Sequence, residues 1–372
     1  MEFLRRTWAE ISSTALLHNF KLIRSRCGSS KIMAVVKADA YGHSAALVAP
    51  LLEQAGADSF AVSNLEEALI LRKNGISKPI LILGYTPTEN TQALIENKIT
   101  QTVYSLDYAE ALNAQAELLN GKIGVHIKLD TGMGRLGFNA RHDDFAELSD
   151  VLQVFGCKNL LIEGTFTHLP TADEKSGLEY TENQLKRFIS ATDKIKAAGF
   201  NTGLLHCSNS AGVILGSDYG LDICRPGIIL YGLNPSNEST LTGLIPVMSL
   251  KSVVSMVKTI NKGDTLSYGR TFTATEDMRV ATVTTGYADG YPRLLSRKGS
   301  VIIHGKRAKI LGTICMDQFI VDVSEIDNIS VGDEVLLFGE ALSAEEIAKE
   351  ANTISYEIIC GINHRVPRVI IK

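Results

Sequence analysis

A lysine stands at the end of a short apolar segment near the beginning of the chain. Residues 31–43 read Lys-Ile-Met-Ala-Val-Val-Lys-Ala-Asp-Ala-Tyr-Gly-His, and this lysine is Lys37. A strand that ends in lysine points an amine into a cleft at the carboxyl edge of a sheet, where the amine can form a Schiff base with a carbonyl group. A solvated lysine at a strand end is the alternative, and the spacing alone favours it. The rest of the chain reverses that preference.

Further residues suited to chemistry follow four other segments with strand-like patterns. They are Lys128, Asp130 and Arg135 after the fifth segment, His168 after the sixth, His206, Asn209 and Ser210 after the seventh, and Arg225, Gly227 and Ile228 after the eighth. Barrels of parallel strands commonly bind phosphate after their last two strands, where hydroxyl and backbone N–H groups serve as donors. Each residue also has a structural alternative, such as a helix cap for Asn209. Their shared position at one edge favours a single site.

Strand-like and helical patterns alternate over the first two-thirds of the chain. The strand-like segments are 32–36, 59–62, 80–83, 101–104, 124–129, 161–167, 203–206 and 221–224. The helical patterns include 45–55, 65–74, 106–119, 145–155 and 181–198. This alternation predicts an α/β protein with a (β/α)8 barrel, and a doubly wound open sheet is the alternative because counting strands does not prove closure.

The pattern changes after about residue 240, where short strands are separated by Gly-Asp turns. The predicted strands are 250–259, 280–284, 300–303, 308–315, 319–323 and 334–338, with one helix at 344–351. Such segments are typical of a small, mostly β domain. We therefore predict a barrel over residues 1–238 and a β domain over residues 239–372.

Composition and charge exclude several classes of protein. The chain has a net charge of -4 and 21% charged residues without a long basic or acidic run, which argues against a nucleic-acid or membrane-surface partner. No segment approaches the roughly 18 apolar residues that a membrane span needs. The six cysteines form no CxxC pair, so we interpret them as reduced thiols of a cytoplasmic protein. No pattern of metal ligands is present, and we expect no metal site.

Several long motifs resemble those of bacterial alanine racemases and occur in the same order. They include Ala-Val-Val-Lys-Ala-Asp-Ala-Tyr-Gly-His at 34–43, Lys-Leu-Asp-Thr-Gly-Met-Gly-Arg-Leu-Gly at 128–137, Arg-Pro-Gly-Ile-Ile-Leu-Tyr-Gly at 225–232, Ser-Tyr-Gly at 267–269, Gly-Tyr-Ala-Asp-Gly-Tyr-Pro-Arg at 286–293, Cys-Met-Asp-Gln at 315–318 and Arg-Val-Pro-Arg at 365–368. The resemblance covers nearly the whole chain. It implies a pyridoxal phosphate-dependent racemase that supplies D-alanine for peptidoglycan and acts as a head-to-tail homodimer with shared active sites.

The resemblance also implies roles for individual residues. Lys37 matches the Schiff-base lysine, and Tyr268 matches the second base, which reaches the active site of the partner subunit. Arg225 matches the residue that faces the pyridine nitrogen, with His206 behind it and His168 near the cofactor ring. The other matches are Tyr41, Ser210, Gly227, Ile228 and Tyr356 at the phosphate, Arg135 and Met316 on the substrate-carboxylate side, Tyr287 in the access channel, Lys128 as a lysine often carbamylated, and Asp317 as a supporting residue.

Racemisation requires a proton to leave one face of the substrate carbon and return on the other. By the family pattern, Lys37 handles the α-proton of the D-enantiomer and Tyr268 that of the L-enantiomer. Positive charge at His168 or Arg135 could lower the pKa of Tyr268 from its usual value near 10. An arginine facing the pyridine nitrogen keeps that nitrogen unprotonated and disfavours transamination.

Other functions remain open at this point. Serine racemases of altered cell-wall precursor synthesis share these motifs, so serine is the alternative substrate or a second one. Decarboxylases of basic amino acids share the architecture but place a carboxylate at the pyridine nitrogen, where this chain has Arg225. A non-catalytic pyridoxal phosphate carrier would be a barrel alone, and an unrelated barrel enzyme would make Lys37 structural.

Overall fold

The computed structural model describes residues 5–142, 144–216, 219 and 221–372. The chain packs as two compact units. The barrel unit contains residues 17–40 and 45–244, and the sheet unit contains the described residues up to 16 together with 41–44 and 245–372. Strand β1 (Thr7–Ser12) and helix α1 (Ser13–Arg26) begin the described chain.

Parallel strands form the centre of the barrel unit. They are β2 (Lys31–Val35), β3 (Ser59–Val62), β4 (Ile80–Ile82), β5 (Ile99–Val103), β6 (Ile123–Asp130), the short β7 (Phe138–Asn139) beside β6, β8 (Leu160–Phe166), β9 (Leu204–His206) and β10 (Ile223–Cys224). Without β7, the order of the eight described strands is β10-β2-β3-β4-β5-β6-β8-β9. The amide of Asp222 donates to Leu205 O at 2.9 Å and that of Arg225 to Ser208 O at 3.0 Å, which joins the last two strands and closes the barrel.

Burial explains why these segments are strands. Every residue of β3, β4 and β5 is buried, as expected for strands covered on both faces. The first two are mainly apolar, whereas the buried Gln101 and Thr102 of β5 are satisfied by hydrogen bonds. The backbone hydrogen bonds between the last two strands close the barrel. They confirm the predicted (β/α)8 barrel and exclude the open sheet.

Helices follow most of the barrel strands. They are the left-handed turn α2 (Lys37–Tyr41) and the helices α3 (Ala45–Gln54), α4 (Leu65–Lys73), α5 (Thr91–Glu96), α6 (Leu106–Leu118), α7 (Leu148–Val154), α8 (Leu178–Ala197) and α9 (Ser210–Leu215). Side chains cap α4 and α6, because Asn64 accepts from the Glu67 amide and Ser105 from the Tyr108 amide, and α9 is also capped by a side chain. The helix predicted over 145–155 is shorter, since the left-handed φ of 48° at Phe145 is incompatible with a helix there.

The sheet unit is mostly antiparallel. It contains β11 (Met248–Ile260), β12 (Thr265–Leu266), β13 (Phe272–Thr273), β14 (Met278–Val283), β15 (Ser300–Ile303), β16 (Lys306–Leu311), β17 (Phe319–Asp322), β18 (Glu334–Phe338), helices α10 (Ala344–Ala351) and α11 (Ser355–Cys360), and β19 (Arg368–Ile371). The main sheet has the order β14-β17-β16-β15-β18-β11-β1-β19, and β11 also pairs with β14. The strands from β14 to β11 therefore form a closed circuit.

Strand β1 belongs to this sheet although it comes first in the sequence. It pairs antiparallel with β11 and parallel with β19, so both ends of the described chain meet in one sheet. The division of the chain at residues 238 and 239 stays a prediction. None of the helices within the described ranges combines the length and the apolar character that crossing a bilayer requires.

Candidate active site

Arg225 is a buried cation at the end of β10, with 3% of its surface exposed. Its Nη1 lies 2.8 Å from His206 Nδ1, and its Nη2 donates to the carbonyls of Thr167 at 2.9 Å and Cys207 at 3.0 Å. His168 Nδ1 lies 3.3 Å from the same Nη2. Burial lowers the pKa of Arg225 to about 10, so it is still charged at neutral pH. All these partners are uncharged acceptors, and they hold the guanidinium in one orientation.

The two histidines beside this arginine are neutral. Burial first, and the charge of Arg225 second, lower the pKa of both His168 and His206 well below the usual value. This corrects one expectation. His168 does not supply the positive charge that the sequence suggested for it, because an imidazolium beside a buried guanidinium would be strongly disfavoured. Of the two candidates, only Arg135 can carry that charge.

Strand register places three side chains in one layer inside the barrel. Lys128 on β6 pairs with Phe166 on β8, and Phe166 pairs with His206 on β9. The Phe166 ring stacks on His206 with centroids 4.8 Å apart and an interplanar angle of 2°. His126 lies two residues before Lys128 on the same face, and its Nδ1 is 2.8 Å from His206 Nε2. Our sequence analysis did not single out Phe166 or His126, although alternation along each strand could have indicated them.

Lys128 is an amine in an apolar setting. Its Nζ donates to Leu129 O at 2.9 Å and lies 5.4 Å from the centre of the Phe166 ring. Burial and the charge of Arg225 lower its pKa to about 7, against the opposing effect of Asp130. A large fraction of this amine is therefore uncharged and nucleophilic at neutral pH.

The loop that carries Arg135 is held by the carboxylate of Asp130. Asp130 accepts from the amides of Gly132 at 2.9 Å and Gly134 at 3.1 Å. It also accepts from Arg141 Nη2 at 2.6 Å. Arg141 and the backbone hydrogen bonds lower the pKa of Asp130, so the carboxylate stays charged at neutral pH. Arg135 itself is exposed. Our sequence analysis noted Asp130 but did not identify Arg141.

Lys37 lies two residues after the end of β2 and begins an unusual turn. The three residues after it have φ angles between 51° and 55°, the left-handed region that residues other than glycine rarely adopt. Two carboxylates stabilise this backbone, because Glu67 accepts from the Ala38 amide at 2.6 Å and Asp39 accepts from the Ala45 amide at 2.7 Å. Strained backbone of this kind is concentrated at functional sites.

The residues predicted at the phosphate lie in two groups, one in each unit. In the barrel unit, Ser210 Oγ accepts from the Gly227 amide at 2.9 Å, next to the 3₁₀ turn Ile228–Tyr231. Asn209 precedes α9, and its side chain accepts from the Gly212 amide at 3.0 Å. Asn209 therefore acts as a helix cap, which was the structural alternative for this residue.

In the sheet unit, Tyr41 and Tyr356 lie together. Their ring centroids are 6.0 Å apart and the rings are tilted by 47°. Burial, with Tyr356 and Cys360 nearby, raises the pKa of Tyr41, so its hydroxyl stays protonated and can donate a hydrogen bond. Gly42 follows with a φ of 81°, and a Cβ there would come within 2.2 Å of Ile359 O. Only glycine fits this turn.

Three further candidates in the sheet unit are unusually exposed for their size. Tyr268 has 74% of its surface exposed, Met316 has 53% and Tyr287 has 42%. Backbone hydrogen bonds connect two of their loops, because the Tyr287 amide donates to Cys315 O at 3.1 Å. Large apolar and aromatic groups exposed together commonly mark an interaction surface.

Ion pairs connect the loops that carry Tyr287 and Met316. Asp289 is fully buried and accepts from Arg6 and, at 2.7 Å, from Arg365. Arg365 also donates to Asp317 at 2.7 Å. Asp317, which is exposed and follows Met316 in the chain, is thus joined through Arg365 to the buried Asp289. A buried carboxylate with two arginine partners is well compensated.

Comparisons with known proteins agree with this architecture. The family model of the alanine racemase N-terminal domain matches residues 11–235, and that of the C-terminal domain matches residues 247–370. The alanine racemase of Desulforamulus reducens is 45% identical over 98% of this chain and 98% of its own length. The solved alanine racemase of Clostridium difficile 630 in complex with cycloserine has a TM-score of 0.93 and 41% identity, and covers 100% of this chain and 96% of that one.

A third comparison concerns the cofactor. The solved alanine racemase of Bartonella henselae, with covalently bound pyridoxal phosphate, has a TM-score of 0.88 and 30% identity, and covers 99% of this chain and 100% of that one. The matches extend over both units and include the whole arrangement of strands described above. The chain belongs to the alanine racemase family of pyridoxal phosphate-dependent enzymes.

Proposed function

We propose that this protein interconverts L-alanine and D-alanine with pyridoxal phosphate as cofactor, and that Lys37 and Tyr268 transfer the protons. The observation that carries the proposal is the environment of Arg225, a buried cation among neutral acceptors. Decarboxylases of similar architecture would need a carboxylate at this position. Family membership and the cycloserine complex of the Clostridium difficile relative support a small amino acid as substrate.

The residues of the proposed site fit pyridoxal phosphate. The pyridine nitrogen has a lone pair and no proton of its own, so it suits the guanidinium of Arg225, which can only donate. A phosphate group suits the hydroxyls of Tyr41, Ser210 and Tyr356 and the amide region of Gly227 and Ile228. Lys37 would hold the cofactor through its aldehyde, with His168 as a neutral neighbour of the ring. Asn209 stays a candidate contact, although its side chain is already engaged as a cap.

Two acid–base groups divide the proton transfer between the faces of the substrate. When bound, the cofactor supplies a conjugated ring that withdraws the electron pair left at the substrate carbon. Lys37, once the substrate amine has displaced it from the cofactor, would remove the α-proton of the D-enantiomer, and Tyr268 would return a proton on the opposite face. In the reverse direction Tyr268 removes the proton and Lys37 returns it. Arg135 would bind the substrate carboxylate through its forked donors, and Met316 would lie on the same side.

We infer that the active sites are shared in a homodimer, with Tyr268 acting in the site of the partner subunit. Support comes from the exposure of Tyr268, Tyr287 and Met316 on the single chain. Tyr287 would line the access channel. A second copy of the chain would cover this surface and bring the phenol to the opposite face of the substrate.

The product D-alanine would serve peptidoglycan synthesis in a cytoplasmic setting. The test is growth of a strain that requires D-alanine. Expression of this chain should remove the requirement, and a Lys37→Ala variant should not. Continued dependence on added D-alanine, despite active purified protein, would contradict this role.

A direct assay tests the reaction and separates the alternatives. The purified holoenzyme is incubated with L-alanine and, in parallel, with L-serine, while D-enantiomer formation and CO2 release are measured. We expect loss of optical rotation without CO2 release, and faster turnover of alanine. CO2 release would indicate a decarboxylase, whereas bound cofactor without turnover would indicate a carrier. Faster turnover of serine than of alanine would make serine the main substrate.

A further inference from the structure

A directional series of hydrogen bonds runs down the interior of the barrel unit from Arg225. Arg225 Nη1 lies 2.8 Å from His206 Nδ1, and His206 Nε2 lies 2.8 Å from His126 Nδ1. A guanidinium can only donate, so His206 Nδ1 must accept. The proton of the neutral His206 ring is therefore on Nε2, and this N–H donates to His126 Nδ1. By the same logic the proton of His126 is on its own Nε2.

Local packing makes room for His126 in this series. His126 pairs in register with Gly164 on the neighbouring strand β8. A Cβ at Gly164 would come within 2.7 Å of both Nδ1 and Cε1 of the histidine ring. Glycine at this position therefore lets the ring lie against the β8 backbone and turn its Nδ1 towards His206.

The ring of His206 is held from a second direction. Phe166 lies one layer above Gly164 on β8 and stacks on His206 with an interplanar angle of 2°. Stacking fixes the plane of the imidazole ring but does not decide which nitrogen carries the proton. Among the described residues, the acceptor that favours the Nε2 proton is His126 Nδ1. His126 thus stabilises, one step further from Arg225, the tautomer that the guanidinium requires.

We propose that His126 is a positioning residue, which keeps His206 in its Nε2-protonated tautomer so that His206 holds the guanidinium of Arg225. Without an acceptor at position 126, the buried Nε2–H of His206 would have no partner, and an unsatisfied buried donor is costly. The alternative tautomer would turn an N–H towards Arg225, which also donates. Either result would weaken the hydrogen bond between Arg225 and His206. The consequence for the cofactor ring rests on the proposed function, but the tautomer does not.

A matched pair of substitutions isolates the acceptor. His126→Asn keeps an oxygen close to the position of Nδ1, and His126→Leu has nearly the same size and shape as asparagine without an acceptor. Met33→Leu is the control, because Met33 lines the same cavity of about 670 Å³ as His126. This control alters the packing of the cavity but not the series of hydrogen bonds.

The first readout is the ¹⁵N NMR spectrum of the histidine rings, with His206 assigned from the signals that a His206→Gln variant loses. We expect protonated Nε2 at His206 in the unchanged holoenzyme, in His126→Asn and in Met33→Leu. In His126→Leu we expect a shifted or mixed tautomer. A proton on Nδ1 of His206 in the unchanged protein would overturn the proposal, and this result needs no substitution of His126 and no activity.

The second readout is the absorbance of the bound cofactor together with the ratio of transamination to racemisation. We expect His126→Leu to lower kcat about tenfold, to raise that ratio and to alter the spectrum, as a weakened hydrogen bond between Arg225 and His206 would. His126→Asn should restore all three to within about twofold. Equal behaviour of the Asn and Leu variants would overturn the proposal. If the unchanged protein lacked racemase activity, the proposed function would fail, and the NMR result would still decide the tautomer.

Discussion

Arg225 combines complete burial with a full positive charge and uncharged partners. Burial of a cation is costly unless acceptors surround it, and here carbonyls and imidazole nitrogens replace water. A carboxylate would compensate the charge better, but it would also neutralise the site. The uncharged acceptors instead hold the guanidinium in one direction, so that it can donate to a group with a lone pair. This is the physical basis on which the residue can select one reaction of the cofactor over another.

Arg225→Glu should shift the product partition from racemisation towards transamination. A carboxylate at this position would stabilise a protonated pyridine nitrogen, which withdraws electrons more strongly, and racemisation should slow by at least about tenfold. The measurement is the ratio of pyruvate to D-alanine formed from L-alanine, together with the ring absorbance. Arg225→Lys keeps a cation and is the control. An unchanged partition with an unchanged spectrum would contradict the role assigned to Arg225.

Lys128 should react with carbon dioxide at neutral pH. Its pKa of about 7 is below the ordinary value of 10.5, so the uncharged amine accumulates as pH rises through 7, whereas an exposed lysine would need a pH near 10. The amine adds to CO2 and releases one proton, which gives a carbamate anion that could hold Arg135. A plain ammonium would repel that arginine.

¹³C NMR of the protein under ¹³CO2 provides the measurement. We expect a carbamate signal that increases between about pH 6 and 8 and is missing from Lys128→Gln. The same signal in that variant, or one that emerges only near pH 10, would show that Lys128 is not the modified group.

At the scale of elements, the loop after β6 depends on one carboxylate. Asp130 accepts from two backbone amides of the loop and from Arg141, so it determines the path of the chain up to Arg135. The left-handed turn after β2 depends in the same way on Glu67 and Asp39. In both places a short polar network positions a functional residue at the carboxyl end of a barrel strand.

Asp130→Ala should loosen the Arg135 loop. Because two backbone donors would lose their acceptor, we expect the KM for alanine to rise more than kcat falls and the free energy of unfolding to drop by about 2 kcal/mol. Steady-state kinetics and denaturant unfolding measure both effects. Arg141→Ala is the control. It removes an ion-pair partner that is 44% exposed and should cost less than about 1 kcal/mol. Equal effects of the two variants would show that the ion pair, and not the backbone hydrogen bonds, holds the loop.

At the scale of the whole molecule, Tyr268, the proposed second proton-transfer group, lies on an exposed surface. Tyr268 is at a 3₁₀ turn between β12 and β13, with 74% of its surface exposed. A phenol in that setting has no means of controlling its own proton transfer. Our proposal therefore requires a second copy of the chain to enclose it.

Mixed dimers test this requirement. If Tyr268 acts in the partner subunit, a Lys37→Ala chain and a Tyr268→Phe chain are each nearly inactive alone, but their mixed dimer has one intact site. Random reassociation should then recover about a quarter of the activity of the unchanged protein. The matched control combines Lys37→Ala with a chain that carries both substitutions, for which no recovery is expected. No recovery in the first mixture, with mixed dimers verified by native mass spectrometry, would place both groups in one chain.

Much of the architecture could be predicted because it depends on local patterns. The eight barrel strands were predicted to within a few residues, since most strands buried on both faces are mainly apolar, although the buried β5 contains Thr and Gln. Strand β1 was missed, because its role depends on pairing with β11 and β19, which come much later in the chain. Helix α11 and the two-residue strands β12 and β13 are too short to give a periodic pattern.

The candidate site divides in the same way. The sequence by itself determined which residues with reactive groups follow the barrel strands, and its motifs determined the family, because both are written in contiguous residues. Only the tertiary structure decided that His168 is neutral, that Lys128 has a lowered pKa and that His126 lies behind His206. Burial and the distance between charges set these properties, and both arise when register brings together residues such as His126 and His206 that are 80 positions apart.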